Sequence, residues 1–147
     1  MLRGVYHFVS YPASRKVLFF EAFVLCAIVK LMVVTLPFRI IQKRLNLKAY
    51  KADTLYADQK EDNPIVRATF QTVDTISRHV CWTNTCLVRS IVVKLLLRRR
   101  GIEAILYLGL AKDAQGQLKA HAWLKALRSG LVYDDGSGEY TTVAVLV

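Results

Sequence analysis

The run Cys86-Leu-Val-Arg-Ser-Ile-Val-Val-Lys-Leu-Leu-Leu-Arg-Arg-Arg-Gly-Ile102, continued by Glu-Ala-Ile-Leu-Tyr-Leu-Gly-Leu110, changes its hydrophobic period at Gly101. Before the glycine, Val88, Ile91, Val92, Leu95 and Leu96 recur at i, i+3, i+4, i+7 and i+8, which predicts a helix with one apolar stripe. Asn84 and Thr85 are good cap residues just upstream, and Arg98, Arg99 and Arg100 followed by Gly101 supply a basic last turn and a C′ glycine. The helix is therefore expected over about residues 85–100, with Cys86 in its first turn. After the glycine, Ile102, Ala104, Leu106, Leu108 and Leu110 alternate with their neighbours, a period of two that only a strand satisfies.

Working outward, Asp113-Ala-Gln-Gly116 reads as a turn, followed by a second strand over about 118–127. Arg128-Ser-Gly130 makes the next turn, Leu131 to Asp135 a third strand, Gly136-Ser-Gly138 a loop, and Tyr140 to Leu146 a fourth strand. A helix followed by an antiparallel meander makes the fold class α+β. Upstream, Pro64 sits where a helix can start, and Ile65, Thr69, Val73, Ile76 and Val80 predict a helix over 64–79. Residues Lys48 to Asn63 are polar and mixed in charge, as in an exposed connection. Further back, a long helix over about 14–35 ends before Pro37, and a short basic helix follows from Phe38 to Leu45. The chain divides into an N-terminal helical region with its connection, 1–63, and a core, 64–147, forming one compact unit.

The 147 residues suffice for one domain with a proper core and not for two ordinary ones. Hydrophobic residues make up 54% and mean hydropathy is +0.29, high for a soluble domain and a sign of apolar surface meant for a partner or a membrane. Glu21 and Lys30 interrupt the stretch from Val17 to Phe38, so neither uncharged piece approaches the roughly 20 apolar residues of a spanning helix. That argues for a helix packed on the domain in a cytoplasmic protein, peripheral membrane contact remaining an open alternative. A net charge of +10 attracts acidic peptides, acidic partners, nucleic acid or anionic lipid. Without a nucleic-acid motif or a phosphate-cradling glycine loop, nucleic acid is not expected as a partner. Three cysteines, at 26, 81 and 86, form no CxxC pair. This fits a reducing compartment and predicts neither a disulfide scaffold, a metal site nor a cofactor.

A thiol in the first turn of a helix meets unpaired backbone N–H groups and the positive end of the helix dipole. Both favour the thiolate, and the same N–H groups can stabilise an oxyanion. A small apolar filler is the competing reading of such a cysteine. On the second strand His121 projects to the face of Trp123 and Lys125. The acidic pair Asp134-Asp135 closes the third strand, one hairpin away. If those strands are neighbours, one carboxylate can hold the far nitrogen of His121 while the near nitrogen takes the Cys86 proton, the arrangement of cysteine acyl-transfer enzymes. Pleat alternation allows only one of the two Asp residues to face His121, the other meeting solvent or the turn. Cys26 and Cys81 read as packing residues, Cys81 being near enough to compete for the nucleophile's role. His7 and His79 read as surface or half-buried, Trp123 as a core aromatic, and Arg98 to Arg100 as a solvated helix end or a contact for an acidic partner.

These residues also carry a resemblance. Cys86-Leu-Val-Arg-Ser90, the helix end Leu-Leu-Leu-Arg-Arg-Arg-Gly-Ile102, the strand end Leu108-Gly-Leu110 and above all Ala120-His-Ala-Trp-Leu124 resemble the stand-alone leader peptidases of lasso-peptide biosynthesis. Those are transglutaminase-like cysteine proteases, with the papain-like layout of a nucleophile on a helix N-terminus and His and Asp on neighbouring strands. The resemblance covers about residues 78–135 and places the catalytic Cys, His and Asp on Cys86, His121 and Asp135. The hairpin after Trp123 is slightly longer than the family's, and Asp134-Asp135 stands where the family often has Asn-Asp. The overlay favours Asp135. The resemblance implies cleavage of a ribosomal precursor peptide between leader and core, with a small leader-binding protein presenting the precursor and a macrolactam synthetase closing the ring. A non-catalytic peptide-binding scaffold of the same fold, or another cysteine acyl-transfer enzyme such as an amidase or transglutaminase, is the alternative.

Overall fold

The computed structural model describes residues 13–49, 63–127, 129–134 and 138–147. Within them the chain forms helices α1 (Ala13–Thr35), α2 (Phe38–Leu45), α3 (Pro64–His79) and α4 (Cys86–Arg99), then strands β1 (Ala104–Lys112), β2 (Leu118–Ala126), β3 (Val132–Tyr133) and β4 (Thr141–Leu146). The class is the expected α+β. The ends follow from local chemistry: Asn63 Oδ1 accepts the Ile65 N–H at 3.0 Å with Pro64 at the first helical position of α3, and Gly101 takes φ +70° after α4, where the Ile102 N–H reaches the Leu97 carbonyl. The expected connection falls mostly outside the described residues, as do His7, Asp135, Gly136 and Ser137.

The central element is α4, and it departs from the expected single stripe. Val88 and every residue from Ser90 to Leu97 are buried, because α1 and α3 cover the sides that the sheet does not. Two polar side chains are enclosed with the apolar ones and reach backbone acceptors. Ser90 Oγ donates to the Ala122 carbonyl at 3.1 Å, and Lys94 Nζ donates to that of Ala104, tying the helix to β2 and to the start of β1. Burial pushes the Lys94 ammonium down to about 8, Arg98 adding repulsion and Glu103 opposing it.

Arg98 and Arg99 are exposed and Arg100 half-buried, as in a largely solvated helix end, but all three also have partners within the chain. Arg98 donates to the Leu45 carbonyl at 2.9 Å, while Arg99 and Arg100 grip the Glu21 carboxylate of α1 at 2.5 and 2.8 Å. Glu21 supplies the partner that sequence spacing does not reveal. Burial opposes ionisation of this carboxyl, but the two guanidiniums outweigh it and hold the group below its ordinary value. With its charge so compensated, Glu21 does not interrupt α1, which runs unbroken for 23 residues. By length and composition alone it is apolar enough to cross a membrane.

The four strands order as β3-β2-β1-β4, all antiparallel, so only the first three make the expected meander. β4 returns to the far edge of β1, giving the strand with the buried run Ala104-Ile-Leu106 a partner on both sides. Lys48 and Val147 exchange backbone hydrogen bonds of 3.1 and 2.9 Å, so the chain after α2 closes part of the outer edge of β4.

The Lys94 charge yields a pH prediction. Its pKa is near 8 when folded and about 10.5 when unfolded, so between these values the unfolded chain binds more protons and stability rises with pH. Denaturant melts of wild type and Lys94→Met from pH 7 to 10 should show the difference moving in favour of the wild type by about 1 to 3 kcal/mol. Parallel curves would contradict the burial of a charged ammonium.

Candidate active site

The turn into α4 is fixed before the cysteine is reached. Trp82 Nε1 donates to Asn84 Oδ1 at 3.0 Å, Asn84 Nδ2 donates to Ser77 Oγ of α3 at 3.3 Å, and the Trp82 ring packs 5.8 Å from Phe23 of α1. Thr85 then caps the helix, its Oγ1 accepting the Val88 N–H at 3.4 Å. Cys86 is thus the first helical residue, half-buried, where the N–H groups of the first turn have no intrahelical acceptor. Of the other thiols, Cys26 is buried in α1 and pushed up to about 11 by that burial, and Cys81 is exposed in the turn.

Cys86 opens onto a groove of about 390 Å³. One wall is Val33 and Leu36 with Phe38 and Ile41 of α2, and the floor is Leu108, Leu110, Ala120 and Ala122 of the sheet. Leu87, Gly109, Val143 and His121 complete the lining. The lining is almost wholly apolar, as a site for a side chain rather than a charged group would be.

His121 lies on β2 opposite Gly109, on the pleat face of Trp123 and Tyr107, as alternation requires. Its ring lies 4.9 Å from Tyr140 and 6.1 Å from Trp123, which stacks in turn on Tyr107 at 5.6 Å. Trp123 is buried, a core aromatic as expected. The expected carboxylate, Asp135, lies outside the described residues, and the partner of His121 within them is a main-chain carbonyl. Nε2 is 2.8 Å from the main-chain carbonyl of Asp134, and a carbonyl only accepts, so Nε2 carries the hydrogen and Nδ1 keeps its lone pair. α4 packs against the opposite pleat face, that of Ala104, Leu106, Ala122 and Leu124. Both residues line the groove, but the imidazole lies on the sheet face turned away from α4, and among the described residues no hydrogen bond joins it to Cys86.

Asp134 lies beyond the third strand rather than in it. β3 ends at Tyr133, and Asp134 turns into the left-handed region with φ +57°. Its carboxylate meets neither His121 nor solvent alone but pairs with Arg89 of α4. Arg89 also stands 3.8 Å from Asp74 of α3, which accepts the Tyr133 hydroxyl at 2.8 Å, and the guanidinium lies over the Tyr133 ring. Burial and the neighbouring Asp74 carboxylate raise the Tyr133 phenol well above its usual range, so it stays a donor. A relay Asp74–Arg89–Asp134 thereby sets the carbonyl that orients His121. Sequence reading missed Arg89, Asp74 and Tyr133 as site residues. The available signal was a charged residue one turn into an otherwise buried helix.

This fold and this placement of a cysteine define the class. Residues 32–147 match the Transglutaminase-like superfamily, and the chain belongs to it. The match starts inside α1 and so takes in the α2 wall of the groove. No curated protein and no solved structure matches the chain. Membership goes with cysteine-based peptidase or acyl-transfer activity.

The aromatic shelf under His121 leaves no room at Gly109. A Cβ built there would lie 2.7 and 2.8 Å from the Trp123 ring and 2.9 Å from Tyr140 Cβ. Gly109→Ala should lower stability by about 1 to 3 kcal/mol through overpacking and quench or shift Trp123 fluorescence. An unchanged melt would show that the ring is not fixed there.

Proposed function

We propose that the chain is a cysteine peptidase that removes the leader from a ribosomally made lasso-peptide precursor. In this reading Cys86 is the nucleophile, His121 the base and then the acid, and Asp135 the carboxylate of the triad. The observation that carries the reading is a half-buried cysteine opening a capped helix on the wall of an apolar groove that a tautomer-fixed histidine also borders. The sequence resemblance of Ala120-His-Ala-Trp-Leu124 and Cys86-Leu-Val-Arg-Ser90 supplies the substrate class.

The chemistry follows from those groups. His121 Nδ1 takes the Cys86 proton as sulfur attacks the carbonyl carbon of the scissile amide. First-turn N–H groups of α4 meet the oxyanion, and the imidazolium protonates the departing amine. Water deprotonated by the same nitrogen then hydrolyses the thioester, and the free thiol is restored. Proton transfer needs sulfur and nitrogen at roughly hydrogen-bond distance, so substrate binding has to turn the ring or draw the first turn inward. The apolar groove suits a large apolar side chain beside the cleaved bond. Free cysteines suit a cytosolic setting.

The role assignments are tested on purified precursor. Cys86→Ala should abolish cleavage with an unchanged melt, Cys81→Ala should cleave normally, and His121→Gln should lose at least about 100-fold in rate. Asp135→Asn should lose activity without losing stability, while Asp134→Asn should lower the melting temperature by freeing Arg89. Full activity in Cys86→Ala would end the proposal, and activity lost only in Cys81→Ala would move the nucleophile.

We further expect a separate small protein to bind the leader and deliver it, with a macrolactam synthetase consuming the freed core. One small sheet and its helices leave little surface for a second recognition module. Cleavage rates with and without that partner measure the dependence. Equal rates would assign leader recognition to this chain, and cleavage of unrelated peptides with equal efficiency would favour a general amidase or transglutaminase.

A further inference from the structure

α1 is apolar on two opposite faces, and among the described residues only one of them has a protein partner. Leu18, Ala22, Leu25, Cys26 and Val29 are buried against the domain. On the other side Val17, Phe20, Val24, Ile28, Leu31 and Val34 repeat every three or four residues and stay open, with Phe20 71% and Val34 69% exposed. The stripe is about 26 Å long at the rise of an α-helix and contains no polar side chain at those positions. A contiguous apolar run of this extent is of the size that on a monomer often serves as a binding surface.

Charge surrounds the stripe with one sign. A shallow groove on this face is lined by Lys16 and Arg99 together with Val17, Phe20, Val24 and Ile28. Beyond its C-terminal end α2 presents exposed Arg39, Lys43 and Arg44. Among the described residues Glu21 is the acidic group on the flank, and it is neutralised by Arg99 and Arg100, so it carries no uncompensated negative charge towards an approaching surface. An apolar stripe one helix wide, bracketed by cations on a chain of net charge +10, complements an anionic head-group layer above acyl chains. A protein partner would have to offer an acidic rim of its own around a matching apolar groove. The buried stripe also fixes the orientation. α1 is packed along its length on α3 and α4, so it cannot stand upright across a bilayer without opening the core.

We propose that the outward face of α1 docks the protein in the plane of an anionic lipid surface, its large apolar side chains at the acyl boundary and its cationic rim on the head groups. The groove at Cys86 shares no lining residue with the shallow groove on this face.

The test is flotation of the full-length chain with phosphatidylcholine vesicles, with and without phosphatidylglycerol. Wild type should float with the anionic vesicles, much less with neutral ones, and should be released by high salt. Phe20→Glu/Leu31→Glu should lower the bound fraction at least about tenfold. Val17→Ser/Val34→Ser, a milder change at two well-exposed positions, should lower it in part while circular dichroism and melting stay those of wild type. Arg39→Glu/Lys43→Glu should remove the preference for anionic vesicles. No flotation of the folded wild type, equal flotation with both lipids, or unaltered binding by folded Phe20→Glu/Leu31→Glu would overturn the proposal. So would a dimer in light scattering that this variant dissociates while wild type ignores vesicles, since the face would then belong to a second copy.

Discussion

A helix buried on every side has to be entered and left through its ends, and α4 shows what that constraint does to a small chain. Nothing polar along Ser90 to Leu97 reaches water, so Ser90 and Lys94 are tied to carbonyls of the sheet. The two ends are the places where the helix meets anything that can change. At the C-terminal end three arginines fasten α1 and α2. At the N-terminal end stand the cap, the half-buried Cys86 and the groove. The half-buried thiol thus stands where the central helix meets the groove.

Much of the architecture was legible because hydrophobic period and punctuation agree. Pro64 and Asn63 open α3, Gly101 closes α4, and the change of period at Gly101 marks where helices give way to strands. Long-range pairing was not legible. Nothing in Arg99-Arg100 names Glu21 as its partner 78 and 79 positions away, and a single apolar stripe could not foretell burial all round a helix once α1 and α3 cover its other faces. The return of β4 to β1 is likewise a property of the whole sheet.

The candidate site was legible in part for a related reason. Cys86 at a helix start and His121 on a strand follow from local rules, and both border one groove. The surroundings of the acid were not legible: β3 has only two residues, and Asp134 adopts a left-handed turn that points its carboxylate at Arg89 and its carbonyl at His121, while Asp135 lies outside the described residues. A turn conformation of this kind depends on Asp74 and Arg89 arriving from two other helices, and a reading of neighbours along the chain cannot see them.

The half-burial of Cys86 bears on how this fold can drift over generations. Substitutions at Val88 and from Ser90 to Leu97 fall in close-packed surroundings, where most changes cost folding before they touch chemistry. Cys86 lies one residue outside that constraint, at a helix position where a small side chain is tolerated structurally. Selection can therefore remove or restore the thiol without rebuilding the scaffold. A lineage could lose its chemistry at this position and keep the fold as a binding protein, while the helix carrying it stayed almost fixed.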